Sequence, residues 1–132
     1  MKIIIVVDAN IILSALLGGK SSGILFDSRF QFVTAEFTIC EVKKYLPKLS
    51  KKLSVLRKNL EEVLEKIPLL IYERNFYKRK IKKAREMIGE IDEKDIDILA
   101  LSLKLETYLW SQDKDFETAG CLKILKTYDF IK

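Results

Sequence analysis

The sequence predicts an α/β fold in which a mostly parallel sheet carries helices on both faces. Short runs rich in β-branched and aromatic residues alternate with amphipathic stretches, without a linker or an internal repeat. Strands that alternate with helices favour parallel pairing through crossover connections. The chain has 132 residues, of which 48% are hydrophobic, and this fits a single domain spanning residues 1–132.

The individual elements follow from the hydrophobic pattern and from the turn residues between the runs. Apolar runs predict strands at residues 3–7, 30–34, 69–72, 107–110 and 122–125. Helical periodicity predicts helices at residues 11–17, 22–27, 38–45, 50–66, 76–87 and 91–105. We expect Thr38 to cap the third helix and Pro47 to interrupt or restart it.

Composition excludes several kinds of chemistry. The chain contains no histidine, which excludes Ser-His-Asp and Cys-His catalysis and His-ligated zinc. Cys40 and Cys121 are far apart in the sequence, so we expect small hydrophobic residues in a reducing compartment. Lys2 is followed by only five apolar residues before Asp8, a run too short for a signal peptide or a membrane span. We therefore expect a cytoplasmic protein without membrane contact.

Two acidic side chains come just after apolar strands. Asp8 ends the run Ile3–Val7, and Asp113 follows the run that ends at Trp110. A carboxylate beside a core is costly unless it is paired, hydrogen-bonded or metal-bound, and ligands collect at the carboxyl ends of parallel strands. For Asp113, a solvated turn is the alternative interpretation.

Two further acids lie in the first turns of predicted helices. Asp95 lies in a polar seam of a mostly buried helix, on the side opposite to Asp97, which we expect to face solvent. The alternative is that Asp92 caps this helix and Asp95 only favours the helix dipole. Glu41 could likewise form a capping box with Thr38.

These four acids could converge at one edge of the sheet, although they are far apart in the sequence. Asp8 and Asp113 follow strands, whereas Glu41 and Asp95 begin helices. Several carboxylates in one pocket repel one another, and a divalent cation removes that repulsion. Mg²⁺ and Mn²⁺ prefer such oxygen ligands.

Four sequence blocks together resemble the PIN domain, which occurs in metal-dependent ribonucleases and in VapC-type toxins. The blocks are Val7-Asp8-Ala9-Asn10-Ile11, Glu41, the segment 95–102 and the segment 111–116. The resemblance implies a three-layer α/β/α sandwich and a ribonuclease that hydrolyses phosphodiester bonds in RNA with Mg²⁺ or Mn²⁺. It makes Asp8, Glu41, Asp95 and Asp113 the catalytic, metal-binding residues, supported by Asn10, Ser111 and Asp115. A one-turn error in matching the third block would promote Asp92 to the third metal ligand.

The resemblance also implies partners. RNA is the substrate, and an antitoxin protein and a second copy of the chain, forming a homodimer, are candidate partners.

One segment is strongly basic and could bind RNA phosphates, although a solvated helix face would have the same composition. Its basic residues are Arg74, Lys78, Arg79, Lys80, Lys82, Lys83 and Arg85.

Two other functions remain to be weighed. A catalytically silent PIN-like module would bind RNA or a protein without cleaving anything. A phosphatase with Asp8 as nucleophile is disfavoured because it would need a second acid two residues later, where Asn10 stands.

Overall fold

A computed structural model, which describes residues 1–131, confirms an α/β fold built on a five-stranded parallel sheet. The strand order is β3-β2-β1-β4-β5, and each neighbouring pair is parallel. The strands are β1 (Ile3–Val7), β2 (Phe30–Ala35), β3 (Leu69–Tyr72), β4 (Leu109–Trp110) and β5 (Ile124–Leu125).

Helices cover both faces of this sheet and complete three layers. The helices are α1 (Ala9–Leu16), α2 (Ser21–Leu25), α3 (Glu36–Leu53), α4 (Arg57–Lys66), α5 (Arg74–Tyr77), α6 (Ile81–Ile88), α7 (Ile96–Leu105) and α8 (Asp115–Thr118). Helices α1 to α4 pack on one face, and helices α5 to α8 pack on the other. Within residues 1–131, no helix is both long enough and apolar enough to cross a membrane.

The central position of β1 in the sheet explains the apolar side chains of residues 5–7. Ile5 and Val7 belong to the core under α1 to α4, whereas Val6 belongs to the core under α5 to α8. Successive side chains of a strand point to opposite faces, so a central strand covered on both sides needs apolar residues at every position. The position of β1 in the middle of the sheet therefore follows from its sequence.

The chain order places a crevice between β1 and β4. After β1 the chain enters α1 on one face, and after β4 it enters α8 on the other face. Loops that leave neighbouring strands in opposite directions open a crevice at their carboxyl ends, where open α/β sheets bind ligands. Asp8 lies at the mouth of this crevice. Its backbone amide donates a hydrogen bond to the carbonyl of Trp110 at 3.1 Å.

Three local predictions about α3 were wrong: that Thr38 caps it, that Pro47 interrupts it, and that one helix covers residues 50–66. Pro47 lies inside one continuous helix, and Thr38 is buried within it, while Ala35 occupies the capping position. Pro47 lies on the exposed face, where solvent can hydrate the carbonyl that its missing N–H leaves free. The helix ends instead at Ser54, whose φ of 55° is left-handed, and α4 starts separately at Arg57.

The basic segment was also predicted as one helix and is divided into three pieces. Between α5 and α6 lies a 3₁₀ turn, Lys78–Lys80. The backbone leaves the α-helical region at Tyr77, with φ −114° and ψ 10°. The basic side chains of this segment therefore do not share one continuous helical face.

Asp97 was predicted to face solvent, but it is only 4% exposed. Arg74 donates two hydrogen bonds to its carboxylate, at 2.9 and 3.0 Å, and the Tyr77 hydroxyl donates a third at 2.6 Å. Burial raises the pKa of Tyr77 above its usual range, so the phenol remains a donor at neutral pH. Helical phase placed Asp97 on the polar side of α7, but it could not show that α5 packs there.

Replacing Asp97 with alanine is expected to lower the free energy of unfolding by about 2–3 kcal/mol. The substitution leaves the buried Tyr77 hydroxyl without its acceptor and releases Arg74. Urea denaturation measures the effect. Glu90→Ala removes an exposed acid and should change stability by less than about 0.5 kcal/mol. An equally small loss for Asp97→Ala would show that the three-residue contact is not stabilising.

Candidate active site

The carboxyl ends of the central strands open onto an acidic cavity of about 210 Å³. Five acidic residues line it: Asp8, Glu41, Asp92, Asp95 and Asp113. The structure thus brings to one cavity the four acids singled out by the sequence, together with the alternative Asp92. The remaining wall includes Leu13, Thr38 and Tyr45.

Asp8 is the most firmly held of these acids. It caps α1 by accepting a hydrogen bond from the Ala9 amide at 2.8 Å. Its other oxygen accepts from the Ser111 hydroxyl at 2.7 Å and from the Asn10 side-chain amide at 3.3 Å. Burial raises the pKa of Asp8 to about 6, although the hydrogen bonds from Ser111 and Ala9 oppose that rise.

Asn10 and Ser111 connect the two loops that follow β1 and β4. The Asn10 side-chain amide donates to Ser111 Oγ at 3.2 Å, and the Asp113 backbone amide donates to the same oxygen at 3.0 Å. The Ser111 hydroxyl then has its own proton free for Asp8. These contacts fix the Asp8 carboxylate relative to the Asp113 loop.

Asp95 combines burial with an unused ligand atom. It ends the 3₁₀ turn Glu93–Asp95, directly before α7, and is 7% exposed. Among residues 1–131, nothing forms a hydrogen bond with its buried Oδ2. Burial raises the pKa of Asp95 to about 8, with smaller contributions from the charges of Asp8, Asp92 and Asp113. A buried carboxylate oxygen without a partner fits a metal ligand, since such groups otherwise pair with hydrogen-bond donors.

Four aspartates, Asp95 among them, form a tighter cluster. Asp92, Asp95, Asp113 and Asp115 each offer one carboxylate oxygen, and these oxygens lie within 4.8 Å of one another. Opposite ligands of a Mg²⁺ ion lie about 4 Å apart, so the spacing of the cluster suits one divalent ion. Asp115, expected only as a supporting residue, belongs to this cluster, whereas Asp8 and Glu41 lie outside it.

Asp92 combines the two roles that the sequence offered for it, as a helix cap and as a candidate metal ligand. Its Oδ1 accepts from the Lys94 amide at 2.9 Å, which makes Asp92 the cap of the 3₁₀ turn. Its carboxylate also belongs to the four-aspartate cluster. Capping and ligand chemistry therefore do not exclude one another here.

Glu41 lines the acidic cavity but is held by two lysines. Lys44 lies 3.1 Å and Lys94 lies 3.9 Å from its carboxylate oxygens. Sequence reasoning missed both lysines. The Lys44 contact follows a common helical spacing, but no local pattern could show that Lys94 reaches Glu41.

The basic segment divides between two ends of α7. Arg74 and Arg85 line a cavity beside the first turn of α7. Lys80 and Lys83 line a different cavity at its carboxyl-terminal half. The ten residues of α7 extend over about 15 Å, so these two pairs of cations cannot act at one phosphate.

A comparison of the sequence with models of protein families identifies the family. The model of the PIN domain matches residues 6–129, which is nearly the whole chain. The chain is a PIN-domain protein. In this family context, the acidic cavity lies where a nuclease active site would be expected, and the four-aspartate cluster could bind a divalent metal.

Solved structures share the fold of this PIN-domain protein. One is VapBC2 from Rickettsia felis bound to a DNA fragment from their promoter, with a TM-score of 0.70 and 16% identity, covering 94% of this chain and 98% of the other. Another is VapBC-1 from nontypeable Haemophilus influenzae, with a TM-score of 0.62 and 16% identity, covering 98% of this chain and 100% of the other. No curated protein sequence matches the chain. At this identity, the likeness shows the fold and not the activity.

Proposed function

We propose that this PIN-domain protein is a metal-dependent endoribonuclease that hydrolyses phosphodiester bonds in RNA. The observation that carries the proposal is the cluster of four aspartates to which Asp95 belongs, a residue whose buried Oδ2 has no hydrogen-bond partner within residues 1–131. The cluster lies at the switch point of a parallel sheet, which is where such folds bind ligands. A structural ion pair would have supplied a cation from the chain to this oxygen.

The proposed metal ligands are Asp8, Asp95 and Asp113, with Glu41 completing the set. Asp92 and Asp115 are further candidates, because their carboxylates form the four-aspartate cluster with Asp95 and Asp113, whereas Asp8 and Glu41 line the acidic cavity outside that cluster. Asn10 and Ser111 orient Asp8, and the Asp113 loop is fixed by the same hydroxyl. When bound, Mg²⁺ or Mn²⁺ acidifies water and neutralises charge on a phosphate.

The protein residues also explain why a cation is needed. Five acids line the cavity, so the anionic backbone of RNA would be repelled from it at neutral pH. Among residues 1–131, Lys94 is the one cationic residue that lines the cavity, and its side chain pairs with Glu41. A bound divalent ion would offset part of this negative charge and would offer a positive partner to a phosphate oxygen.

Cleavage of single-stranded RNA by the purified protein is expected in Mn²⁺ or Mg²⁺ and should disappear when EDTA is added in excess. Sequencing of the RNA ends shows whether cuts occur at defined positions and supports an endonuclease when internal fragments appear. A silent module would bind the RNA with or without the ion and leave its length unchanged. Cleavage that continues in EDTA would contradict the proposed metal dependence.

The fold likeness supports a second part of the proposal. Because the matched structures are of VapBC assemblies, we propose that this protein is the toxin of a toxin–antitoxin pair. We also propose the homodimer that the resemblance to the PIN domain implies. Co-expression with the product of the adjacent gene should give a complex that no longer cleaves RNA. Sedimentation of the protein alone tests the homodimer. An adjacent product that neither binds nor inhibits would contradict the pairing.

A further inference from the structure

A second cavity, of about 420 Å³, lies directly beside the acidic one. We call it the basic groove and define it by its four cationic side chains, Lys44, Arg74, Arg85 and Lys94. These residues come from α3, α5, α6 and the turn before α7. Glu41 and Lys94 line both cavities, so the groove continues directly from the acidic cavity.

Arg74 is the best-positioned cation of the groove. Its Nε and Nη2 atoms donate to the two oxygens of Asp97, whose position is fixed further by Tyr77. The guanidinium also lies over the ring of Phe37, 5.6 Å from its centre. A guanidinium has five N–H donors, so two bonds to Asp97 leave about three for a ligand. A planar group held in this way is suited to a phosphate.

The other charges of the groove are arranged around Glu41 and Glu93. Lys44 and Lys94 both approach Glu41, and their side chains remain 72% and 68% exposed. Arg85 and Glu93 complete the lining, and Asp97 is already paired with Arg74. The groove has one more positive than negative charge, and two more if Glu41 serves the acidic cavity. The acidic cavity has the opposite charge balance.

We propose that the basic groove is an RNA-backbone subsite, in which Arg74 binds the phosphate next to the one that is cleaved. This inference rests on the proposed ribonuclease function and adds the path of the substrate. With a divalent ion bound, the acidic cavity would hold the scissile phosphate, and the RNA would continue past Glu41 into the groove. Lys44, Lys94 and Arg85 then neutralise the backbone as it leaves.

The decisive comparison uses two cations of the same helix. Arg85 lines the groove, whereas Lys83 lines the separate cavity at the other end of α7. Arg85→Glu and Lys83→Glu change the net charge equally and alter exposed positions of α6. Binding is measured by the fluorescence anisotropy of a labelled single-stranded RNA in EDTA, at several salt concentrations. No metal and no cleavage are needed for this measurement.

Arg85→Glu is expected to weaken RNA binding about tenfold at low salt and to reduce the salt slope by about 0.7 for each lost phosphate contact. Lys83→Glu should remain within about twofold of the unchanged protein. Arg74→Lys keeps the charge but loses the fork of donors, and should weaken binding about threefold or more. Thermal unfolding of each variant shows whether the fold is intact.

The outcomes separate this inference from the proposed function. Equal weakening by Arg85→Glu and Lys83→Glu would show a diffuse charge effect and overturn the subsite. So would unchanged binding in Arg85→Glu, even if the protein cleaves RNA with Mn²⁺ as proposed. A protein that neither binds nor cleaves RNA overturns both proposals. A large loss confined to Arg85→Glu and Arg74→Lys supports the groove.

Discussion

Asp95→Asn is expected to reduce metal-dependent RNA cleavage by about 10³-fold or more, because it removes a charged ligand that helps to stabilise the transition state by several kcal/mol. The carboxamide keeps the shape of the side chain but not its charge. The variant should also bind Mn²⁺ far more weakly. Initial cleavage rates with saturating RNA, and calorimetric titration with Mn²⁺, measure the two effects.

The same substitution is expected to stabilise the metal-free protein. The buried Oδ2 of Asp95 has no partner within residues 1–131, and its charge lies near Asp8, Asp92 and Asp113. The pKa of Asp95 is raised to about 8, so its charge costs folding energy that asparagine avoids. The gain should grow as the pH rises from about 4 to about 8, and should reach about 5 °C or more in Tm.

Two companion variants make this result specific. Asp8→Asn should also abolish cleavage, but an amide cannot accept from both Ser111 and Ala9, so less stabilisation is expected. Glu90→Gln removes an equal charge at an exposed position and should leave cleavage unchanged. If Asp95→Asn cleaved RNA within tenfold of the unchanged protein, Asp95 could not be a ligand.

The strands and the layer arrangement could be predicted because their signals are local. The run Ile3–Val7 is apolar at every position, and its buried part, residues 5–7, is covered on both faces, which requires apolar side chains at successive positions. The ends of β4 and β5 were less accurate, since Tyr108 and Leu122 are exposed and lie outside the strands Leu109–Trp110 and Ile124–Leu125. Apolar character alone does not show where ladder pairing stops.

The site could be predicted only as far as topology and helical phase reach. Asp8 and Asp113 follow adjacent parallel strands, so their loops had to meet. The inward position of Asp95 was predicted from helical phase over residues 91–105, although the residue lies in the 3₁₀ turn before α7 and not in the helix itself. Phase gave the wrong result for Asp97, because Arg74 and Tyr77 approach from an element distant in sequence. The same limitation hid the contact of Lys94 with Glu41.

Metal affinity is expected to increase about tenfold for each pH unit between pH 6 and 8, and to become constant above about pH 8. A ligand carboxylate must lose its proton before it binds an ion. In the metal-free protein the pKa of Asp8 is raised to about 6 and that of Asp95 to about 8. Between these values mainly Asp95 remains protonated, so one proton is displaced. Below about pH 6 the slope should approach two protons.

The folded, metal-free protein should show the opposite dependence, because a raised carboxyl pKa means that folding takes up protons. The contribution of Asp8 and Asp95 to its stability is greatest at about pH 4 and below, and falls as the pH rises through about 6 and about 8. The shift of Asp8 alone corresponds to about 3 kcal/mol.

Titration with Mn²⁺ at pH 7 in two buffers of different ionisation enthalpy counts the protons that metal binding releases. About one proton is expected for the unchanged protein and almost none for Asp95→Asn. An affinity that does not change between pH 6 and 8 would mean that the ion does not displace the Asp95 proton, and the buried oxygen would then need another explanation.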